Sequence, residues 1–210
     1  MTINFLTSGF PNGFTDVFIN EVKKYLTNKS TFVFIASDFD YQAHDITEHY
    51  CKLFLDMFRS FDIEFEHVYI IDYRVSMERA AILTEIADFV WISGGDTLKQ
   101  ISYIKEYQLI DTLRNRNGIT MGMSAGSINM AKRVVLARDV HDNVPELSIY
   151  EGIGLVDINI EPHIDLNRVE HIEDIKEAAK HNAIYGLYDE SFITVVNDKV
   201  EIHGEYIVFS

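Results

Sequence analysis

The sequence has few cysteines, prolines and linker-like segments. Its single cysteine, Cys51, cannot form an internal disulfide, which is typical of a protein in a reducing compartment. Only 3 prolines interrupt the 210 residues, and no Gly/Ser-rich spacer, internal repeat or low-complexity tract divides the chain. The composition therefore predicts one domain over residues 1–210.

Positive charge is also scarce. The chain carries 18 Lys and Arg against 33 Asp and Glu, which gives a formal net charge of −15. Nucleic acids and anionic membranes bind clusters of basic side chains, so we expect neither as a partner. The first residues lack a basic region and reach Ser8 and Gly9 before any membrane-length apolar run develops. We therefore expect a cytoplasmic protein.

Apolar runs and segments of helical spacing alternate along the first part of the chain. In residues 50–58, for example, apolar side chains recur three and four positions apart, which predicts a helix. Parallel neighbouring strands need such crossovers, so we expect an α/β three-layer sandwich with a mostly parallel, flavodoxin-like sheet flanked by helices. The runs that predict buried strands are 3–7, 31–36, 67–71, 88–93 and 119–123.

The last part of the chain has a different pattern. Residues 155–161 alternate apolar and polar side chains up to Pro162, as a half-exposed strand does. A turn at residues 197–199 joins two further apolar runs, and we expect this C-terminal antiparallel hairpin to close the sheet. The remaining predictions are a helix around 169–179 and strands at 183–187, 191–197 and 200–209.

Ser124 lies between two glycines, Gly122 and Gly126, where an apolar run gives way to a helical pattern. This is the G-x-S-x-G pattern of a nucleophile elbow, in which the serine occupies a strained strand-to-helix turn and the glycines avoid clashes. The amide of Ala125 then lies at the start of the helix and faces an oxyanion beside the serine. The motif predicts half of a serine-hydrolase site.

Two other predicted strand ends belong to the same edge of the sheet, because open parallel sheets bind ligands at the carboxyl ends of their strands. One is Gly94-Gly95, followed by Asp96 as the N-cap of a helix. Unpaired amides at Gly95 or its neighbour would donate to an oxyanion. The other is His163, directly after Pro162, which would serve as the base that a serine nucleophile needs.

Several residues compete for the remaining catalytic roles. His141 and His203 are alternatives to His163 as the base. A carboxylate should orient the imidazole, and Asp139, Asp189 and Glu190 are candidates for that role. The residues alone leave this choice open.

Taken together, these segments resemble the serine peptidase family that includes aspartyl dipeptidase (dipeptidase E) and cyanophycinase, a branch of the class I glutamine-amidotransferase-like fold. The resemblance covers essentially the whole chain. It rests on the order of three features: a strand ending in Gly94-Gly95-Asp96, the G-x-S-A-G elbow at Ser124, and the Pro-His pair that contains His163.

The resemblance implies roles for particular residues. Ser124 would be the nucleophile, His163 the base and Asp139 the group that orients the base, with Asp189 as the second choice. The implied substrate is a short peptide cleaved through an acyl-enzyme, and neither a cofactor nor a metal is expected. Exposed edge strands would also allow a homodimer. The implied oxyanion hole consists of Gly94, Gly95 and Ala125.

Charged residues near the motifs bear on which substrate would be preferred. Asp96 occupies a position at which dipeptidase E has asparagine, and its charge would oppose a developing oxyanion unless the carboxylate caps the following helix. A bidentate arginine contact could recognise a substrate carboxylate. The candidate arginines are Arg133, Arg138 and Arg168.

Other functions are also consistent with an elbow at Ser124. An α/β-hydrolase esterase would use His203, because its histidine follows the last strand. A catalytically silent binding protein would keep the elbow and use the crevice for a ligand or partner. A glutamine amidotransferase would need a cysteine at residue 124, whereas the only cysteine is Cys51.

Overall fold

The computed structural model describes residues 2–210, and Met1, which the predicted domain includes, lies outside the described residues. The β-strands are β1 (Thr2–Thr7), β2 (Thr31–Ile35), β3 (His67–Ile71), β4 (Phe89–Ile92), β5 (Gly118–Met123), β6 (Arg133–Leu136), β7 (Ser148–Glu151), β8 (Asn159–Glu161), β9 (Ile184–Leu187), β10 (Phe192–Val196), β11 (Lys199–His203) and β12 (Tyr206–Phe209). The α-helices are α1 (Asp16–Tyr25), α2 (His44–Arg59), α3 (Met77–Ile86), α4 (Thr97–Glu106), α5 (Leu109–Asn115), α6 (Ala125–Asn129) and α7 (Val169–Ala179).

The central sheet has seven strands in the order β11-β10-β1-β5-β4-β2-β3. Strands β1 to β5 are mutually parallel, whereas β10 is antiparallel to β1, and β11 is antiparallel to β10. The parallel part, read from β3, has the order 3-2-4-5-1. The first four places match the flavodoxin order 2-1-3-4-5 with each strand number raised by one, and β1 occupies the fifth place. The predicted mostly parallel sheet is confirmed.

Helices cover both faces of this sheet. Successive side chains of β4 point to opposite faces, with Phe89 and Trp91 in one apolar cluster and Val90 and Ile92 in the other. The first cluster includes residues of α1 and α2, and the second includes residues of α3, α4 and α5. The predicted three-layer sandwich is therefore confirmed. Within residues 2–210, no helix is both long and apolar enough to span a membrane.

The C-terminal part differs in detail from the predictions. The hairpin of β10 and β11 forms as expected, but the predicted strand 200–209 is broken at Gly204. Gly204 has a φ of +89°, and a Cβ there would lie 2.5 Å from Oγ of Ser191. The chain turns at this point, and β12 pairs with β9 in a separate sheet of order β12-β9-β8. The segment after β8 reaches the central sheet, because the amide of His163 donates to Oγ of Ser8, the residue after β1.

Candidate active site

Ser124 occupies the turn between β5 and α6 in a strained backbone conformation, with φ 49° and ψ −114°. The two flanking glycines are required by close backbone approaches. A Cβ on Gly122 would lie 2.5 Å from the amide nitrogen of Ser127, and one on Gly126 would lie 2.2 Å from the carbonyl oxygen of Ile92. The turn therefore has the geometry that the G-x-S-x-G pattern predicts.

Thr7, at the end of β1, holds this turn in place. Its amide donates to Oγ of Ser127 at 2.8 Å, and the Ser127 hydroxyl donates to the carbonyl oxygen of Thr7 at 2.9 Å. The same carbonyl accepts the amide of Ser124 at 2.9 Å, while the Thr7 hydroxyl donates to the carbonyl of Gly122. These hydrogen bonds connect the turn to the end of β1 and help to hold the strained serine in its conformation.

Two of the predicted oxyanion-hole residues, Ala125 and Gly95, have backbone amides with no acceptor among residues 2–210. The Ala125 amide lies in the first turn of α6, where no intrahelical acceptor exists. The amide of Gly95 has no hydrogen-bond partner among residues 2–210. Gly95 has a φ of +135°, and a Cβ there would lie 2.3 Å from Oγ of Ser37. Gly94 lines the same cavity, and a Cβ at that residue would make only ordinary contacts at 3.4 Å.

The carboxylate of Asp96 caps helix α4. Its Oδ1 accepts the backbone amide of Lys99 at 2.9 Å, with an extended backbone at Asp96 that is typical of an N-cap. The negative charge of Asp96 is therefore bound by the start of the helix, which is the orientation in which it would not oppose an oxyanion.

His163 pairs with Asp189. The Nδ1 atom of His163 lies 2.6 Å from Oδ1 of Asp189, and Nε2 has no partner among residues 2–210. His163 has a φ of +53°, and its amide donates to Oγ of Ser8 at 2.7 Å. A carboxylate bonded to Nδ1–H favours the tautomer in which Nε2 accepts a proton. Asp189 is the second of the two carboxylates that the family resemblance implies for this position.

Ser124 and His163 line one cavity of about 320 Å³. No hydrogen bond joins Oγ of Ser124 to His163 within the described part of the chain. Such bonds are often long or absent before substrate binds and tighten in the complex. The cavity therefore brings together Ser124 and His163, two of the residues that the sequence predicts to be catalytic.

The loop after β1 supports the His163–Asp189 pair, a role that no sequence motif predicts. Gly9 packs so closely that a Cβ there would lie 2.5 Å from Cε1 of His163 and 3.0 Å from Oδ1 of Asp189. The Ser8 hydroxyl lies 3.3 Å from both Oδ1 of Asp189 and the carbonyl oxygen of Leu187. The sequence signal that could have identified this loop is its place in the chain. Ser8-Gly9 directly follows a predicted parallel strand, and ligands bind at the carboxyl ends of such strands.

Asp139 does not orient His163, and this assignment needs correction. Its carboxylate accepts two hydrogen bonds from Nη2 of Arg168, at 2.7 and 2.8 Å, and lies 3.5 Å from Nε2 of His171. Burial alone would raise the pKa of Asp139, but Arg168 and His171 hold it below its ordinary value. Backbone hydrogen bonds to Val144 close a turn that directs Asp139 toward α7 instead of the cavity.

His171 connects Asp139 to the strand that precedes His163. Its Nε2 lies 3.1 Å from Oε1 of Glu161, the last residue of β8. Burial raises the pKa of Glu161. Burial also opposes protonation of His171, but the hydrogen bond and charge of Glu161, with the charge of Asp139, raise its pKa above the ordinary value. Asp139, Glu161 and His171 together support the segment that carries His163.

The other candidate residues lie away from Ser124. Glu190 accepts the side-chain amide of Asn12 at 2.9 Å. His203 stacks on Phe192 with ring centroids 4.4 Å apart and does not line the Ser124 cavity. His141 lines a separate cavity of about 250 Å³ beside Asp139. The arrangement therefore favours His163 over both alternative bases.

The three candidate arginines are all engaged elsewhere. Arg133 donates to the carbonyl oxygen of His181 at 3.2 Å, and Arg138 donates to Asp174 at 3.1 Å. Arg168 is the partner of Asp139. Among residues 2–210, no arginine or lysine lines the cavity of Ser124. None of the three candidate arginines therefore reaches the cavity that Ser124 lines.

Two further groups of side chains bear on the predicted chemistry. Cys51 is buried, and this burial raises the pKa of its thiol to about 12, which disfavours the reactive thiolate.

Glu21, Glu201 and His203 place potential metal-ligating atoms within 4.8 Å of one another, a grouping that sequence spacing did not indicate. Lys24 and Lys199 form salt bridges to the two glutamates.

Comparisons with known proteins agree with this architecture. The sequence profile of Peptidase family S51 matches residues 8–203. Peptidase E of Nostoc sp. (strain PCC 7120 / SAG 25.82 / UTEX 2576) is 23% identical over 174 residues, which cover 77% of this chain and 69% of that protein.

Two crystal structures have a similar fold. One, of a protein from Listeria monocytogenes EGD-e assigned as a peptidase E, aligns with a TM-score of 0.71 at 18% identity, over 97% of this chain and 98% of that chain. The other, of a peptidase from an acI-B1 Actinobacterium, aligns with a TM-score of 0.68 at 15% identity, over 100% of this chain and 97% of that chain.

Proposed function

The chain belongs to peptidase family S51, and we propose that it is a serine-type peptidase that hydrolyses short peptides through an acyl-enzyme on Ser124. One observation carries the proposal: a histidine paired with an aspartate at 2.6 Å lines the same cavity as a serine held in a strained elbow. A pairing of this kind supplies the base that a serine hydroxyl needs to attack a peptide carbonyl.

In the acylation step, Oγ of Ser124 attacks the carbonyl carbon while Nε2 of His163 accepts its proton. The amides of Gly95 and Ala125 donate hydrogen bonds to the oxyanion that forms. The carbon–nitrogen bond then breaks, and His163 transfers the proton to the leaving amine. Water attacks the acyl-enzyme with His163 again as the base, which releases the acid and restores the Ser124 hydroxyl.

Asp189 acts through His163. Its carboxylate accepts Nδ1–H, which leaves Nε2 available for the proton of Ser124 and stabilises the imidazolium that forms during attack. In this mechanism Asp189 takes the role that the sequence resemblance assigned to Asp139. A cytoplasmic location, a single domain and a homodimer stay predictions.

The proposal is tested with Ser124→Ala and His163→Ala on a library of short peptides. We expect each variant to lose at least a thousandfold in kcat, because each removes a member of one catalytic unit. Ser60→Ala and His67→Ala are the matched controls, since both side chains are exposed and lie outside the cavity. Hydrolysis by Ser124→Ala at the parental rate would refute the assignment.

A catalytically silent binding protein is the second candidate. It is favoured by the absence, within residues 2–210, of a hydrogen bond between Ser124 and His163. A fluorophosphonate probe separates the two functions, because it labels a serine only when a base activates it. Labelling of folded parent protein that is lost in Ser124→Ala supports the peptidase, and no labelling supports the binding protein.

A further inference from the structure

We propose that the cavity beside Ser124 accepts an apolar or aromatic substrate side chain rather than a carboxylate such as aspartate. The inference rests on the proposed function, because it identifies the residue next to the bond that Ser124 would cleave. It follows from the side chains that form the walls of the cavity and from the charged groups around it.

The walls of the cavity are largely apolar. Its volume of about 320 Å³ lies within the range of small-molecule sites. Phe34 comes from β2, Met123 from the end of β5, and the opposite wall comes from α2. Trp91 stacks behind Phe54 of that helix with ring centroids 4.2 Å apart, so the apolar base of the cavity is firmly packed.

Helix α2 presents an apolar strip at the mouth of the cavity. Ile46, Tyr50 and Phe54 are spaced four residues apart and therefore share one face of the helix. Phe54 is only 4% exposed, whereas Ile46 and Tyr50 are 52% and 45% exposed. Exposed apolar side chains that continue a buried apolar wall are typical of a ligand-binding groove.

Charge complementarity to a carboxylate is missing from the cavity. His163 is the one lining residue among those described that can carry a positive charge, and its Nδ1 is paired with Asp189. Lys99, in the helix that begins beside the cavity, is held by Asp38 at 2.6 Å and Asp40 at 2.9 Å. An aspartyl side chain would lose water here without gaining a cationic partner, whereas an apolar side chain would gain from burial.

The first test compares the dipeptides Phe-Ala, Leu-Ala, Ala-Ala and Asp-Ala as substrates. We expect kcat/KM for Phe-Ala and Leu-Ala to exceed that for Asp-Ala by at least a hundredfold. Tyr50→Ala should lower the ratio of Phe-Ala to Ala-Ala by about tenfold, the scale of losing a few apolar groups from a pocket. A parental enzyme that cleaves Asp-Ala as well as Phe-Ala overturns the inference.

A charge-gain variant gives a second test. Ile46→Arg places a cation at the mouth of the cavity and should raise the ratio of Asp-Ala to Phe-Ala cleavage at least tenfold. Ile82→Arg is the matched control, because Ile82 is 49% exposed on α3, which packs on the other face of the sheet. We expect Ile82→Arg to keep the parental ratio. An equal change in both variants contradicts a role for the cavity.

Binding measurements separate failure of this inference from failure of the proposed function. Titration calorimetry of folded Ser124→Ala with Phe-Ala and Asp-Ala reports cavity preference without any chemistry. Tighter binding of Phe-Ala supports the inference even if the parent protein cleaves no peptide and reacts with no probe, which would refute only the proposed function. Equal binding, tighter binding of Asp-Ala, or no binding of either dipeptide overturns the inference.

Discussion

Gly9 and His163 are packed so closely that any side chain at residue 9 would displace the imidazole. A Cβ there would lie 2.5 Å from Cε1 of His163, well inside a normal carbon–carbon contact. The glycine that follows β1 thus sets the position of a histidine far along the chain. Because His163 also pairs with Asp189, a shift of the ring would disturb both partners at once.

We expect Gly9→Ala to lower kcat/KM about a hundredfold, since a displacement of about 1 Å in a catalytic group has an effect of that size. Steady-state kinetics on a cleaved peptide measure the change. Gly13→Ala is the control: its φ of +94° makes the substitution strained, but no atom lies within 4 Å of the added Cβ. It should lower stability and leave kcat unchanged. A parental kcat/KM in Gly9→Ala would contradict the close packing at His163.

Asp189→Asn should impair catalysis, whereas Asp139→Asn should impair stability. Asp189→Asn should lower kcat by about 10⁴-fold, because an amide favours the wrong imidazole tautomer. Asp139→Asn should change kcat little but lower the free energy of unfolding by about 1–3 kcal/mol, because it weakens charge-assisted hydrogen bonds from Arg168. Peptide kinetics and urea unfolding of both variants check the pair. The reverse pattern would restore Asp139 as the partner of His163.

Ser127→Ala tests the support of the elbow. The substitution leaves the buried amide of Thr7 without its acceptor at 2.8 Å, so the free energy of unfolding should fall by about 1–3 kcal/mol. Urea denaturation measures this loss, and Ser60→Ala, at an exposed helix end, is the control with little expected effect. Stability equal to that of the parent would mean that Thr7 does not depend on this hydroxyl.

The raised pKa of His171 predicts a pH-dependent contribution to stability. Protonated His171 is stabilised in the folded state by Glu161 and Asp139. Its contribution is therefore complete below the unfolded pKa of about 6.5 and is lost as pH rises through the higher folded pKa. The difference in unfolding free energy between the parent and His171→Gln should decrease from pH 6 toward pH 9. A difference that grows with pH would contradict the sign of this shift.

Most of the central sheet and the elbow were predictable because their signals are local. The five parallel strands were indicated by short apolar runs, and helices between them by side-chain spacing. The break in the last predicted strand at Gly204 was not predictable, because the turn at this residue depends on its close contact with Ser191. Strands β6 and β7 were also not predicted, and they pair with each other outside the central sheet.

The sequence by itself determined the elbow at Ser124, the glycine turn at Gly95 and the placement of His163 after a strand, because each depends on neighbouring residues and on the parallel order of strands. Only the tertiary structure decided that Asp189, rather than Asp139, pairs with His163. Carboxylates in loops carry no sequence signal for the direction in which they point. That direction depends on which long-range partner, a histidine or an arginine, the fold brings within hydrogen-bonding distance.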